Sequence, residues 1–126
     1  MLVGQHVFST LSALSANLSK VYQQLNNMRI ISFNANGIRS AATKNFFEWF
    51  QTQNADVLCV QETKAQEDQL SDSVFQPKGY HAFYRDASTK KGYSGVAIYA
   101  KNKPDEIRTG LGWDEFDEEG RYIEAR

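Results

Sequence analysis

Two stretches decide how this chain is read: Arg29-Ile30-Ile31-Ser32-Phe33-Asn34-Ala35-Asn36-Gly37 and Asp56-Val57-Leu58-Cys59-Val60-Gln61-Glu62-Thr63-Lys64. Each is a short apolar run that ends abruptly in polar residues. Both runs have the length and the β-branched content of buried strands. Between them, residues 41–53 carry Phe46, Phe47 and Phe50 at the spacing of one helix face, with Ser40 as a candidate cap and Asn54-Ala55 as the stop. A strand–helix–strand unit is expected to be parallel with a right-handed crossover. Its two strands, predicted at 29–34 and 56–61, then end on the same side of the sheet. That brings Asn34, Asn36 and Glu62 to one rim, where open α/β sheets bind ligands.

A carboxylate flanked by amides is the start of a site for a hard divalent cation. Such cations take oxygen ligands and often use only one or two protein carboxylates, keeping several waters. Glu62 suits that role, with Asn34 and Asn36 as orienting or carbonyl-ligating partners. From spacing alone, Glu62 reads more simply as an exposed glutamate at a strand end, and Asn36-Gly37 as an ordinary turn pair.

Beyond the second strand, residues 65–75 suggest a short polar helix and Pro77-Lys78-Gly79 a turn. Residues 80–84 and 94–100 read as strands around a charged loop, 85–93. An acidic loop follows at 105–119, and Arg121–Arg126 reads as the beginning of another strand. Within Lys90-Lys91-Gly92-Tyr93-Ser94-Gly95, glycine amides suit close approach to a phosphate and Tyr93 suits packing on a sugar or base. A hairpin turn with a solvated charge pair is the plainer alternative. There is no Walker-type phosphate loop, and Gly110-Leu111-Gly112 leads into no glycine-rich helix start. Neither His6 nor His81 has a local Ser, Cys or Asp partner, so nucleophilic triads and zinc sites find no support.

Composition sets the outer bounds. The 126 residues suit one domain, and the formal net charge of −1 gives no global basic footprint for nucleic acid. Any such binding must rest on local patches or a bound cation. Cys59, the single cysteine, excludes an internal disulfide, suggests a reducing compartment, and reads as a core residue of its strand. No stretch approaches the roughly 20 apolar residues that span a bilayer.

Residues 1–27 stand apart as an amino-terminal extension. They are rich in Ser, Leu, Gln and Asn, and Lys20 is their one charged residue. Leu11, Leu14, Leu18, Val21 and Leu25 recur every three or four residues, which predicts an amphipathic helix, either docked on the body or offered to a partner helix. A signal peptide, with Ala13-Leu14-Ser15-Ala16 as its cleavage site, is opposed by the lack of any Lys or Arg ahead of the apolar part. The plain alternative is a dispensable extension, with Met28 starting the domain proper.

Four stretches in order carry a resemblance: Ile31–Arg39, Ala55–Lys64, Lys91–Ala97 and Glu118–Arg121. Through them, residues 28–126 resemble the amino-terminal part of the exonuclease III class of apurinic/apyrimidinic endonucleases, in the endonuclease/exonuclease/phosphatase superfamily. The resemblance implies the first half only of a two-sheet α/β sandwich of the DNase I-like type. It implies hydrolysis of DNA phosphodiesters with Mg²⁺ or Mn²⁺, 5′ to an abasic site or from a 3′ end, by a cytoplasmic monomer acting on double-stranded DNA. Glu62 matches the metal-binding glutamate of that class and Asn34 its active-site asparagine. Asn36 matches a position near the metal. Arg39, Lys64, Gly92, Tyr93 and Arg121 match positions near the DNA.

Members of that class are considerably longer. Their later half supplies an active-site tyrosine, the Asp and Asn that position nucleophile and phosphate, and an Asp-His pair. Asp114, Asp117 and Tyr122 lie inside the matched region and do not replace them. The expectation is therefore a truncated product without turnover of its own. The alternatives are a non-catalytic domain that binds DNA or protein, and a related phosphatase of the same superfamily.

Overall fold

The computed structural model describes residues 3–126; the side chains of residues 3–9 and 24–26, His6 and Leu25 among them, lie outside the described residues. Helix α1 runs from Val3 to Asn26. The 3–4 spacing of the sequence thus does form a helix, and its Leu11, Leu14, Leu18 and Val21 are each more than half exposed.

The body is built on a mixed four-stranded sheet. Strands β1 (Ile30–Asn34) and β2 (Val57–Gln61) are parallel neighbours with Ile30 opposite Val57 and Asn34 opposite Gln61. Strand β4 (Val96–Ala100) pairs antiparallel with β2, and β3 (His81–Arg85) pairs antiparallel with β4, giving the order β1-β2-β4-β3. Register at the start of the parallel pair is pinned locally. The Asp56 carboxylate accepts the Arg29 backbone N–H at 2.8 Å, and the Asp56 backbone N–H donates to the Arg29 carbonyl at 2.8 Å.

Because side chains alternate across a strand, Ile31, Phe33, Leu58, Val60, Ala97 and Tyr99 share one face, and this face holds the core. The residues between β1 and β2 cover it, but as two helices. Helix α2 spans Ile38–Thr43 and α3 spans Phe46–Thr52, in place of the single expected helix over 41–53. The break is at Asn45, whose φ of 61° is left-handed, a conformation asparagine tolerates better than most residues. Ser40 consequently lies inside α2 and caps nothing. The break turns α3 so that Phe46 stacks on Phe33 at 4.3 Å between centroids, Phe47 meets Tyr99 edge-on at 5.6 Å, and Phe50 meets Tyr80 at 4.7 Å.

Buried Tyr99 and the half-buried Tyr80 and Tyr84 packed against the core keep their hydroxyls satisfied, as burial demands. Tyr80 donates to the Ala55 carbonyl at 2.6 Å, and Tyr84 bonds the Phe75 carbonyl at 2.7 Å and the Tyr99 hydroxyl at 3.0 Å. Burial, most of all, pushes the Tyr99 hydroxyl far above the ordinary tyrosine range.

The expected polar helix at 65–75 is two 3-10 turns, Glu67–Leu70 and Ser73–Phe75, which seat Leu70 and Phe75 in the core. The acidic stretch 105–119 is more structured than a loop. It holds strand β5 (Ile107–Arg108) and a helical turn, α4 (Asp114–Asp117). The strand expected at Arg121–Arg126 is reduced to β6 (Glu124–Ala125), which pairs antiparallel with β5. Among the described residues no helix is long and apolar enough to cross a membrane.

Candidate active site

The polar ends of β1 and β2 meet at one rim. Beyond Gln61 the chain leaves regular strand geometry, with Glu62 at φ 52° and Lys64 at φ 49°. Left-handed backbone at a residue other than glycine costs about 1–3 kcal/mol and persists only where the surroundings over-determine it. Here main-chain bonds hold the segment from both sides. Toward β1, Ala35, Gly37 and Ile38 donate their N–H groups to the carbonyls of Gln61, Glu62 and Thr63, each at 2.9 Å. Toward β4, the Thr63 and Lys64 N–H groups donate to the carbonyls of Gly95 at 3.0 Å and Ser94 at 2.8 Å. The step that carries Glu62 is therefore stapled to both neighbouring segments.

Thr63, between the two left-handed residues, is buried and packs against the Gly95 backbone so closely that a Cβ at position 95 would lie 2.1 Å from its Oγ1. Gly95 has φ 85° and is the residue this contact requires.

On this frame the side chains converge. The Asn34 amide donates to Glu62 Oε1 at 3.0 Å. Its carbonyl oxygen accepts the Asn36 backbone N–H at 3.0 Å, an Asx turn that fixes the loop leaving β1. Lys64 Nζ donates to Asn36 Oδ1 at 2.5 Å and lies 3.6 Å from Glu62 Oε2. The Asn34 amide foremost holds the Glu62 carboxyl below its ordinary value; desolvation opposes it, and the positive charges of Lys64 and Arg121 add to the lowering. Glu62 is thus an ionised, oriented carboxylate whose side chain is 44% exposed.

The structure brings Asn34, Asn36, Glu62 and Lys64 into one constellation and sets Tyr93 and Arg121 beside it. Arg121 Nη2 donates to the Tyr93 hydroxyl at 2.6 Å, and its guanidinium lies over the Tyr93 ring at 5.4 Å. Lys90 Nζ lies over the same ring at 4.4 Å, and Glu119 is ion-paired to Arg121. Gly92 precedes Tyr93 with φ 68° and open space around its Cα. Arg39 is exposed in the first turn of α2 and makes no side-chain hydrogen bond or ion pair among the described residues.

Sequence reasoning had no signal for the left-handed backbone at Glu62 and Lys64. It also missed Ser94 and Gly95 as the clamp on the far side. The Ser94-Gly95 pair was visible, but only coordinates show Thr63 behind it.

A hard cation suits the donors present. Glu62 offers a deprotonated carboxylate with solvent access, and Asn36 a carbonyl oxygen already engaged by a positive group. Among the described residues no three His, Cys, Asp or Glu side chains gather as a metal cage, so a cation here would keep most of its waters. A cleft of 670 Å³ lined by Phe33, Ala35, Lys44, Phe46 and Trp49 touches this constellation only at Asn36, so the constellation lies on the open rim and not in that cleft.

A model of the endonuclease/exonuclease/phosphatase family matches residues 31–126. Among curated proteins, an exodeoxyribonuclease of Bacillus subtilis is 41% identical over 97 residues, covering 76% of this chain and 37% of that one. The DNA repair nuclease APEX1 of Danio rerio is 40% identical over 100 residues, covering 79% of this chain and 32% of that one. The chain thus spans about a third of the length of these relatives, corresponding to their amino-terminal part. Among solved structures, an AP endonuclease from Archaeoglobus fulgidus superposes with a TM-score of 0.67 at 34% identity, over 78% of this chain and 36% of that one.

Proposed function

The chain belongs to the endonuclease/exonuclease/phosphatase family, and from that premise we propose that residues 28–126 supply the metal-holding and DNA-facing part of a DNA-repair nuclease of the exonuclease III type. The observation that carries the reading is the Asn34–Glu62 hydrogen bond at the common end of two parallel strands, within a stretch matched by the family.

In this reading Glu62 holds Mg²⁺ or Mn²⁺, and Asn36 lies beside it. Asn34 keeps one Glu62 oxygen oriented and the carboxyl ionised, and a cation would take the other in place of the Lys64 ammonium, which lies 3.6 Å from it. When bound, the cation neutralises charge on the phosphoryl oxygens and stabilises the leaving oxygen. Arg121, Lys90 and Tyr93 form a basic aromatic edge that suits one DNA strand, with Gly92 leaving room for close backbone approach. Arg39 and Lys64 add positive charge along the same rim. The substrate is double-stranded DNA with abasic sites or 3′ ends, and the working form is a cytoplasmic monomer.

Hydrolysis also needs a base to activate water; among the described residues no three His, Cys, Asp or Glu side chains gather, and the neighbouring Glu119 is taken up in its ion pair with Arg121. The 126-residue chain by itself is therefore assigned no turnover. The test pairs this chain with a longer polypeptide in which residues 28–126 are followed by the later half of a family member. The longer protein is expected to cut an abasic duplex in Mg²⁺ and to lose that cutting with Glu62→Gln. Unchanged cutting by Glu62→Gln would refute the role of Glu62. Robust cutting by a nuclease-free preparation of the 126-residue chain would refute its assigned inactivity. The Lys90–Tyr93–Arg121 edge favours one second reading, a domain that binds DNA without cutting it; the chain would then retain an abasic duplex equally well with and without Mg²⁺.

A further inference from the structure

Within the acidic stretch that follows β5, residues 111–118 form a hydrogen-bonded knob with no part in the site above. Its organiser is Asp117, whose carboxylate accepts the N–H of Leu111 at 2.7 Å and of Gly112 at 2.9 Å. The Trp113 carbonyl accepts the N–H of Phe116 at 3.0 Å and of Asp117 at 2.8 Å, closing the α4 turn. The base of the knob is tied to the body where Arg85 Nη2 donates to the Asp117 carbonyl at 2.8 Å and the Ser88 N–H donates to the Glu118 carbonyl at 3.0 Å.

This fixed backbone presents apolar groups to solvent. Trp113 is 66% exposed and Phe116 45%, with their rings 5.6 Å apart, and Leu111 is 60% exposed. Large apolar side chains held outward on an ordered turn are the usual mark of an interaction surface. Trp113, Asp114, Glu115 and Phe116 bound a shallow notch of 390 Å³. The carboxylates of Asp114, Glu115 and Glu118 enter no ion pair among the described residues. The notch is therefore lined by two aromatic rings and by two carboxylates that enter no ion pair among the described residues.

We propose that this knob docks a basic amphipathic peptide segment of a protein partner, one that lays an apolar side chain and a neighbouring lysine or arginine on Trp113 and Phe116. Charge complementarity selects the occupant. A cation gains over the Trp113 face and again from Asp114 and Glu115, and its methylene stem covers the aromatic rings. DNA is disfavoured, because its phosphates would face the same carboxylates. Since Asp117 already fixes the turn, little ordering is needed on binding.

The test measures fluorescence anisotropy of a labelled synthetic Leu/Lys amphipathic peptide titrated with the 126-residue chain. The same peptide with Glu in place of Lys is the control. The Lys peptide is expected to bind saturably and the Glu peptide not at all. Phe116→Ser, and Asp114→Asn with Glu115→Gln, are each expected to weaken binding about tenfold, the worth of one partly desolvated cation–aromatic or charge contact. All these positions are exposed, and an unchanged melting curve checks that the variants fold. In a Trp49→Phe background the remaining tryptophan, Trp113, is expected to shift its emission on binding. Equal binding of both peptides, variants that bind like the parent, or a Trp113 emission that does not move would each overturn the proposal. So would variants that change the affinity for a DNA duplex and leave that for the Lys peptide as it was.

Discussion

Gly95→Ala tests how the site is held together. Two costs arise there. The backbone at Gly95 has φ 85°, and a side chain in that region costs about 1–3 kcal/mol. The new Cβ would also lie 2.1 Å from Thr63 Oγ1, and Thr63 is 2% exposed, so it must give way within packed surroundings. Overpacking of this kind adds about 1–3 kcal/mol. Gly92→Ala separates the two costs, because Gly92 has φ 68° and nothing within 4 Å of its added Cβ. In urea unfolding at unchanged slope, Gly95→Ala should cost about 1–3 kcal/mol more than Gly92→Ala. Thr63→Ala in the Gly95→Ala background should recover much of that difference, as expected for groups in direct contact. Because Thr63 lies between Glu62 and Lys64 and its N–H bonds the Gly95 carbonyl, Gly95→Ala should also loosen Glu62 and raise its titration. If Gly95→Ala costs no more than Gly92→Ala, or if Thr63→Ala recovers nothing, the clamp described here is wrong.

Other outcomes follow from the same contacts. Asn34→Ala removes the foremost group holding the Glu62 carboxyl low; its titration, followed by carboxyl carbon NMR, should move up toward the ordinary glutamate range. Asp117 is held low mainly by the Leu111 N–H, with Gly112 and Trp113 assisting. A carboxyl depressed in the folded state adds stability above its unfolded value and loses it as pH falls through the folded one. Hydrogen-exchange protection at Leu111 and Gly112 should therefore fade in acid below the ordinary aspartate range, and Asp117→Asn should abolish that pH dependence. Phe50→Ala, at a fully buried ring between Tyr80 and Tyr99, should cost about 3–5 kcal/mol in the same urea assay.

The parallel pair and the meeting of Asn34 with Glu62 were legible because they follow from strand–helix–strand topology, which the apolar runs at 29–33 and 56–60 announce. The chirality of the connection leaves few other arrangements. The division between α2 and α3 was less legible. Phe46, Phe47 and Phe50 fit one helix face whether or not the chain breaks before them, and Asn45 as a left-handed residue was the only local hint. Strands β5 and β6 contain two residues each and show no periodicity; their pairing rests on main-chain bonds such as Arg126 N–H to the Glu106 carbonyl at 2.9 Å. Lys64, which the family resemblance implies lies near DNA, has its ammonium on Asn36 and near Glu62. The left-handed turn at φ 49° that aims it there is imposed by neighbouring segments and leaves no trace in its own sequence.

The central claim is that Glu62, oriented by Asn34 at the shared end of β1 and β2, grips a divalent cation. Paramagnetic broadening by Mn²⁺ of the amide signals of the 126-residue chain tests it directly, without needing turnover. Saturable broadening centred on Asn34, Asn36, Glu62 and Lys64, and lost in Glu62→Gln, is the expected result. Broadening centred on another part of the chain, or persisting undiminished in Glu62→Gln, would contradict the account.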